Sequence, residues 1–477
     1  MKKSILFIVL VIILVHDISF GQKPIVWTLQ ACISRAQEQN LNIKQSDIGY
    51  RSANSAYKTS QRAFLPNLNF NTTVGWNFGR SIDPTTNAFI TQAFISNNGG
   101  IFTDIPIYQG GLLRNDLKSK RYKTLSSKAT LEQQKRDIAL QVTLLYMQIL
   151  FQQDQIDIAQ NQLNISLIQE ERIQKLVDIG NSPPSDLYEI NAQVATNEQL
   201  LTSAKNNYDK SILLITQALY LEDTEGFTIE RPEIHLNANS DMPSMKVGLI
   251  YRKALRNEPI IAARNYDVQS ALSNIKVARS GVIPSLRLTG SLGSSYSEFA
   301  RTPNFDLQWQ NRAPTRINGV VQNVEVLTPV VTSYDAIPYA SQVDQNLRYG
   351  LSLGLNVPIF NRGQTSNNIQ QSKLQHEQAQ IALETASYKL KTDVSNALFD
   401  VRAAQKLWEA KVKTSTAKKI SFEQTKIQFD LGNLSILDYT IAKNNYESAE
   451  NEELIARYDL LFKRKILDYY LGNPLKF

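Results

Sequence analysis

The chain has 477 residues, 42% of them hydrophobic and 20% charged, and 51 Lys and Arg against 44 Asp and Glu give a formal net charge of +7. That is too apolar for a disordered chain, and no Lys/Arg block marks a nucleic-acid footprint. One Cys and three His exclude a disulfide framework, a Cys-based metal knuckle and most His-dependent active sites.

The chain opens with Lys2 and Lys3 ahead of an apolar run from Ser4 to Val15, and Ser19-Phe20-Gly21 supplies small residues for a signal-peptidase site. Residues 1–21 are therefore predicted to be a cleaved export signal. No later stretch reaches the ~20 apolar residues of a transmembrane helix. A first helix is expected from Leu29, with Thr28 as N-cap, to the proline at Pro66. Next, Leu68, Phe70, Thr72, Val74, Trp76 and Phe78 alternate with small polar residues, the period of a strand. A returning strand is expected near Ile101–Ile107, where Phe102 breaks the alternation; Gly99-Gly100 reads as a turn and Gly110-Gly111 as a helix start.

From Gly111 to Ile179 there is no proline, and Ile138, Val142, Leu145, Ile149, Ile156, Ala159 and Leu163 follow a 4-3 spacing. Gly180-Asn181-Ser182 then forms a turn before Pro183-Pro184 restart a helix, since Gly takes a positive φ and Pro suits a first helical turn. The second half runs the same course. Leu286, Leu288, Gly290 and Leu292 make one strand, and Leu347, Tyr349, Leu351, Leu353, Leu355 and Val357 make its returning partner. A proline-free stretch from Gln364 to Leu431 carries Leu390, Val394, Ala397, Val401, Ala404 and Trp408. Gly432-Asn433-Leu434-Ser435 closes it, with Ser435 and Asp438 spaced as a capping box.

These likenesses are an internal duplication. Leu65-Pro66-Asn67-Leu68 recurs as Ile283-Pro284-Ser285-Leu286, 218 residues on. Ile105 to Gly111 recurs as Val357 to Gly363, and Leu176 to Asp186 as Gln428 to Asp438, both 252 residues on. The change of offset places a 34-residue insertion in the second half, between Pro284 and Pro358. The domains expected are the leader 1–21, a first repeat 22–235 and a second repeat 236–477.

The polar side of the strands is Asn, Ser, Thr and Gly, while the apolar side carries Trp76, Phe78 and Tyr349. A soluble sandwich would fit the alternation alone, but with an export signal the pattern suits lipid outside and a watery lumen inside. Four strands cannot close a barrel, because about eight are needed. The barrel must then be shared between chains. Asp186 and Asp438 hold matching places just past the two turns, where an acid favours a helix N-terminus.

Other classes of function find less support. There is no phosphate loop to power transport. His235 and His376 lie far apart without ligand-like neighbours, and Glu452-Glu453 reads as a solvated helix face. No catalytic residue, metal ligand or cofactor is expected, and nucleic acid is not an expected partner. An exported adhesive coiled coil is the main alternative, yet it has no use for alternating strands. A periplasmic adaptor would need a lipoyl-like β half.

The duplicated Leu-Pro-Asn-Leu and Ile-Pro-Ser-Leu strand entries, the exits at Pro106 to Gly111 and Pro358 to Gly363, and the two glycine turns together resemble the TolC family, the trimeric outer-membrane efflux channels of Gram-negative bacteria. The resemblance spans essentially the whole chain after the leader. It implies a mostly α fold with a membrane β-barrel: long helical hairpins forming a periplasmic tunnel, and four strands per chain in a shared 12-stranded barrel of a homotrimer. It implies that the tip turns Gly180, Asn181, Ser182, Gly432, Asn433, Leu434 and Ser435 dock on a periplasmic adaptor that leads to an inner-membrane pump or exporter. It also implies an acidic entrance, for which Asp438 matches while Ile441 stands where the family has a second acid. Asp186 is the corresponding candidate in the first half. The expected role is passive outward passage of cargo.

Overall fold

The computed structural model describes residues 26–85, 87–222, 226–233 and 246–475. The predicted leader, His235 and the expected boundary between the repeats lie outside them. In chain order the first half supplies α1 (Leu29–Gln39), α2 (Leu41–Arg62), β1 (Asn67–Asn77), β2 (Phe94–Gln109), α3 (Leu112–Asp178) and α4 (Pro184–Ala218). The second supplies α5 (Val247–Asn257), α6 (Pro259–Arg279), β3 (Ser285–Ser297), β4 (Arg301–Ile317), β5 (Val320–Ala336), α7 (Tyr339–Gln345), β6 (Arg348–Asn356), α8 (Gln364–Asp430) and α9 (Ile436–Leu471). The chain divides into two compact units, and both halves contribute to each. One is mainly helical and joins the chain up to Asn54 with Tyr122–Gln269 and Glu377–Phe477; the other, Ser55–Arg121 with Ser270–His376, holds β1 to β6.

In the two long helices the duplication holds to the residue. α3 and α8 are each 67 residues, on the order of 100 Å of helix, and begin and end 252 positions apart. Gly110 and Gly111 enter α3 at φ +59° and +82°, and Arg362 and Gly363 enter α8 at +56° and +76°. Arg362 therefore adopts the left-handed geometry of its glycine counterpart.

Within the helical unit the expected apolar stripes are buried. Ile138, Val142, Ile149, Ala159 and Leu163 of α3 are buried, and so is every predicted position of α8 from Leu390 to Trp408. Each fully buried Leu or Ile contributes roughly 1.5–3 kcal/mol, so these stripes are what aligns the helices. The α8 stripe packs on Ile250 and Ala254 of α5 and on Leu460 and Leu467 of α9.

The first helix is not continuous as expected, although Thr28 does cap it, its hydroxyl accepting from Ala31 N at 3.1 Å. It breaks at Asn40, whose side chain accepts from Asn42 N (2.9 Å) and Ile43 N (3.2 Å) and so starts α2. The second half breaks at the matching Glu258, which precedes Pro259 and is held out of helical backbone by it.

In the strand unit the sheet order is β6-β3-β2-β1, antiparallel throughout. The strand β2 is longer than expected. It runs through Phe102 and through Gly99-Gly100, which are in mid-strand and not a turn. Backbone pairing on both sides overrides the broken alternation. The glycines have a packing reason instead, because a Cβ on Gly100 would lie 2.7 Å from the Leu292 carbonyl oxygen of β3. The 34 extra residues of the second half form the β4–β5 ribbon, whose strands pair, among the described residues, only with each other.

Gly100→Ala should push β2 from β3 and cost about 1–3 kcal/mol, as overpacking does. Gly75→Ala, where the new Cβ would meet Ser96 Oγ at 3.6 Å, should be nearly neutral. Thermal unfolding followed by circular dichroism separates the two, and equal melting would refute the close-approach explanation.

Candidate channel wall and hairpin tips

Register sorts the four-stranded sheet into two unlike faces. Across one face, Tyr349, Leu292, Ile101 and Phe70 fall in one row, and Leu353, Leu288 and Ile105 in another. Across the other, Gly350, Ser291, Phe102 and Asn69 share a row, and Ser352, Thr289, Asp104 and Asn67 share the next. The apolar face is bare: Leu351 is 81% exposed and Phe70 is 70% exposed. The polar face carries an ion pair, Arg287 to Asp104 at 3.2 Å. Among the described residues, strands β1 and β6 each have one edge with no partner strand, so their outward backbone groups are available for pairing.

The two hairpin turns are built alike. Gly180 has φ +75°, and its N–H and that of Asn181 donate to Val177 O (2.9 Å) and Leu176 O (2.8 Å). Gly432 has φ +79°, and its N–H and that of Asn433 donate to Phe429 O (3.0 Å) and Gln428 O (2.9 Å). Both satisfy the terminal carbonyls of a long helix through a left-handed residue. The restarts differ. Ser435 caps α9: its Oγ accepts from Asp438 N (3.2 Å), and its hydroxyl donates to Asp438 Oδ2 (2.6 Å). In the first turn Pro183 stands at the cap position and has no side-chain acceptor, and the Ser182 hydroxyl reaches Asp186 Oδ2 at 2.7 Å.

Asp438 is exposed and Asp186 half-buried, as are Leu434 and Ser435 exposed beside the first acid. A basic group at this end, Arg172 of α3, pairs with Asp430 of α8 and lies over the Phe429 ring at 5.2 Å. Sequence reasoning missed this pair, because Arg172 and Asp430 are 258 residues apart. Among the described residues no group of three His, Cys, Asp or Glu gathers as metal ligands would.

Beneath the turns, Ile173, Ile190, Phe422, Phe429, Ile436 and Tyr439 form a common core of both hairpins. Tyr439 stacks on Phe429 with centroids 4.8 Å apart, and burial pushes its phenol up to about 12. One turn further along α9 lies a buried ion pair. Lys443 is 1% exposed, donates to Ser166 Oγ of α3 and faces Glu447 Oε1 at 3.3 Å. Burial lowers the Lys443 ammonium and raises the Glu447 carboxyl, each offset in part by the other's charge. Asn197 of α4 completes the group, donating to Ser166 Oγ at 2.6 Å and to Gln162 O at 3.2 Å. The i,i+4 spacing of Lys443 and Glu447 is visible in sequence, but it looks like any solvated helix pair.

Lys443→Met alone leaves Glu447 buried without its counter-charge and should cost about 3–5 kcal/mol, whereas Lys443→Met with Glu447→Leu should recover most of that loss. Denaturant unfolding of the parent, the two single variants and the double variant measures the coupling, and additive effects would show that the pair does not interact.

The family model described as outer membrane efflux protein matches residues 32–219 and 250–473. Outer membrane efflux protein BepC of Brucella suis biovar 1 (strain 1330) is 22% identical over 454 residues, which are 92% of this chain and 86% of BepC. Outer membrane protein TolC of Vibrio cholerae serotype O1 is 24% identical over 427 residues, 88% of this chain and 84% of TolC. Among solved structures, the open-state MtrE outer membrane channel of Neisseria gonorrhoeae superposes with a TM-score of 0.70 at 18% identity, covering 94% of this chain and 89% of MtrE. That likeness speaks for the fold: long helical hairpins with strands that contribute to a barrel. The matched segments take in both glycine turns, all four sheet strands and both 67-residue helices, so the chain belongs to the outer membrane efflux protein family.

Proposed function

We propose that the protein is the outer-membrane channel of a tripartite efflux or type I secretion system, working as a homotrimer with a periplasmic adaptor and an inner-membrane pump or exporter. The observation that carries this is the four-stranded sheet with one bare apolar face, one polar face and two unpaired edges. An open edge in lipid costs several kcal/mol per unpaired backbone group. Strand directions fit closure between copies, since β6 of one chain would run antiparallel to β1 of the next. Three copies give twelve strands, the count that the TolC family uses.

In this reading the polar rows face a watery lumen and the apolar rows face lipid. The long helices line a periplasmic tunnel, and the turns at Gly180, Asn181, Ser182, Gly432, Asn433, Leu434 and Ser435 meet the adaptor. The channel binds no cofactor and performs no chemistry; energy comes from the pump. Asp438 is the entrance residue: exposed, near the restart of α9, and repeated by symmetry around one opening. Like charges held close there attract cations and disfavour anions. The adhesive coiled-coil alternative leaves the sheet and its bare face without a use.

Two measurements test the reading. Leu351→Arg or Leu353→Arg should disturb assembly by ~2–4 kcal/mol per site near the bilayer midplane, while Ser352→Arg should assemble and mainly change conductance. Cross-linking in membranes should give a trimer; a stable inserted monomer, or three variants that behave alike, would refute the wall assignment. For the entrance, Asp438→Asn keeps a capping side chain but no charge. Planar-bilayer recordings should show weaker cation preference and weaker block by divalent cations from the periplasmic side, and unchanged currents would reduce Asp438 to a helix cap.

A further inference from the structure

Phe102 of β2 breaks the alternation of its strand, and the channel reading gives it no role. Register puts it on the polar face, in the row of Gly350, Ser291 and Asn69. The flanking rows of that face hold Ser352, Thr289 and Asn67 on one side and Gly293, Gly100 and Asn71 on the other. Phe102 is 42% exposed, and among the described residues in these rows it is the one large apolar side chain left bare. Phe94, further along β2 on the same face, is covered: it is 3% exposed and packs on Phe299 with ring centroids 5.8 Å apart.

The sheet itself does not call for a ring at this place. Backbone pairing carries β2 through the position, and Asn, Ser or Thr fill the equivalent positions around it. Turned to water, the ring forgoes the gain that burial gives an apolar side chain. Its surroundings keep it accessible. Gly100 stands two residues away on the same face and Gly293 diagonally across on β3, so no side chain rises on that side. On the other side Asp104 is held by Arg287 at 3.2 Å, which offsets the nearest acidic charge on β2.

Closure of the barrel would bring three such rings together. Rotation about one axis places the same residue of each copy at the same height. Strands about 4.8 Å apart and tilted by ~40° give a twelve-stranded barrel a backbone diameter of roughly 24 Å, which three phenyl rings narrow without closing. We propose that Phe102 of the three copies forms an aromatic ring of contacts inside the barrel, which binds planar aromatic groups of passing cargo, cationic ones most strongly. Ring faces stack on other rings and attract positive charge, whereas the amides and hydroxyls of the neighbouring rows offer neither. This inference rests on the shared-barrel reading and gives its lumen a preference among cargoes.

Planar-bilayer recordings of the full-length protein test it with methyl viologen, a planar aromatic dication, and hexamethonium, an aliphatic dication, added from the outer side. In the parent channel methyl viologen should block at about one-tenth of the hexamethonium concentration. Phe102→Ala should bring the two to within about twofold of each other, and so should Phe102→Leu, which keeps apolar bulk without a ring, while Phe102→Tyr should keep the difference. A parent channel that does not distinguish the two dications, or a Phe102→Leu channel that still does, would overturn the aromatic site and leave the channel reading intact. If Phe102→Ala does not insert, Phe102→Leu and Phe102→Tyr decide. Position has its own readout. A membrane-impermeant thiosulfonate should lower the current through Phe102→Cys and leave that through Ile101→Cys unchanged; equal responses would overturn the placement of Phe102 in the lumen. The native Cys32 is fully buried, so the parent chain serves as the blank. A parent chain that inserts only as a non-conducting monomer would overturn the shared barrel itself.

Discussion

The hydrogen-bonding groups along the free edges of β1 and β6 are the constraint on which the rest depends. Inside hydrocarbon they have no water to turn to, so the sheet must meet another sheet edge or stay out of the membrane. The apolar rows from Tyr349 to Phe70 favour lipid, and only closure satisfies both demands together. The proposed homotrimer answers this problem by sharing one barrel among chains. Close packing follows from the same need: Gly100 and Gly290 let neighbouring strands approach where a larger residue would press on the Leu292 backbone or the Thr103 methyl.

Duplication then sets what each half must keep and what it can change. Helix lengths, turn geometry and the left-handed pair before each long helix are held. Even Arg362 keeps a backbone conformation that costs a non-glycine residue roughly 1–2 kcal/mol. The helix breaks at Asn40 and Glu258 are kept by different means, one through a side-chain cap and the other through the proline that follows. Departures cluster outside the shared frame, above all in the ribbon between β3 and β6.

The hairpin ends combine firm turns with a core that mixes rings and charge. Phe429 is packed between Tyr439 and the Arg172 guanidinium, and Arg172 in turn reaches Asp430. Further in, Lys443 and Glu447 sit among Ser166, Asn197 and Gln162. A buried ion pair of this kind is a poor source of stability against an apolar replacement, because desolvation offsets most of its attraction. What it does provide is a match between three helices: α9 must align with α3 for Lys443 to reach Ser166 Oγ, and α4 with α3 for Asn197 to reach the same hydroxyl.

Local rules made much of this protein legible from its residues alone. The 4-3 stripes of α3 and α8, the two glycine turns, the Ser435–Asp438 cap and the alternation of β6 each depend on neighbours within a few positions, and periodicity reports them directly. The duplication was legible for the same reason, since order and spacing survive where identity has faded. What lay beyond reach depends on contacts across the chain. Gly99 and Gly100 read as a turn because nothing local reveals two flanking strands, and β2 read as too short because pairing, not alternation, carries it through Phe102. Arg172 with Asp430, and Ser166 with Lys443, are separated by more than half the chain, so no spacing rule connects them. The insertion could be counted in sequence, but only the fold made it a two-stranded ribbon. Side-chain period decides which residues share a face; tertiary structure decides what that face meets.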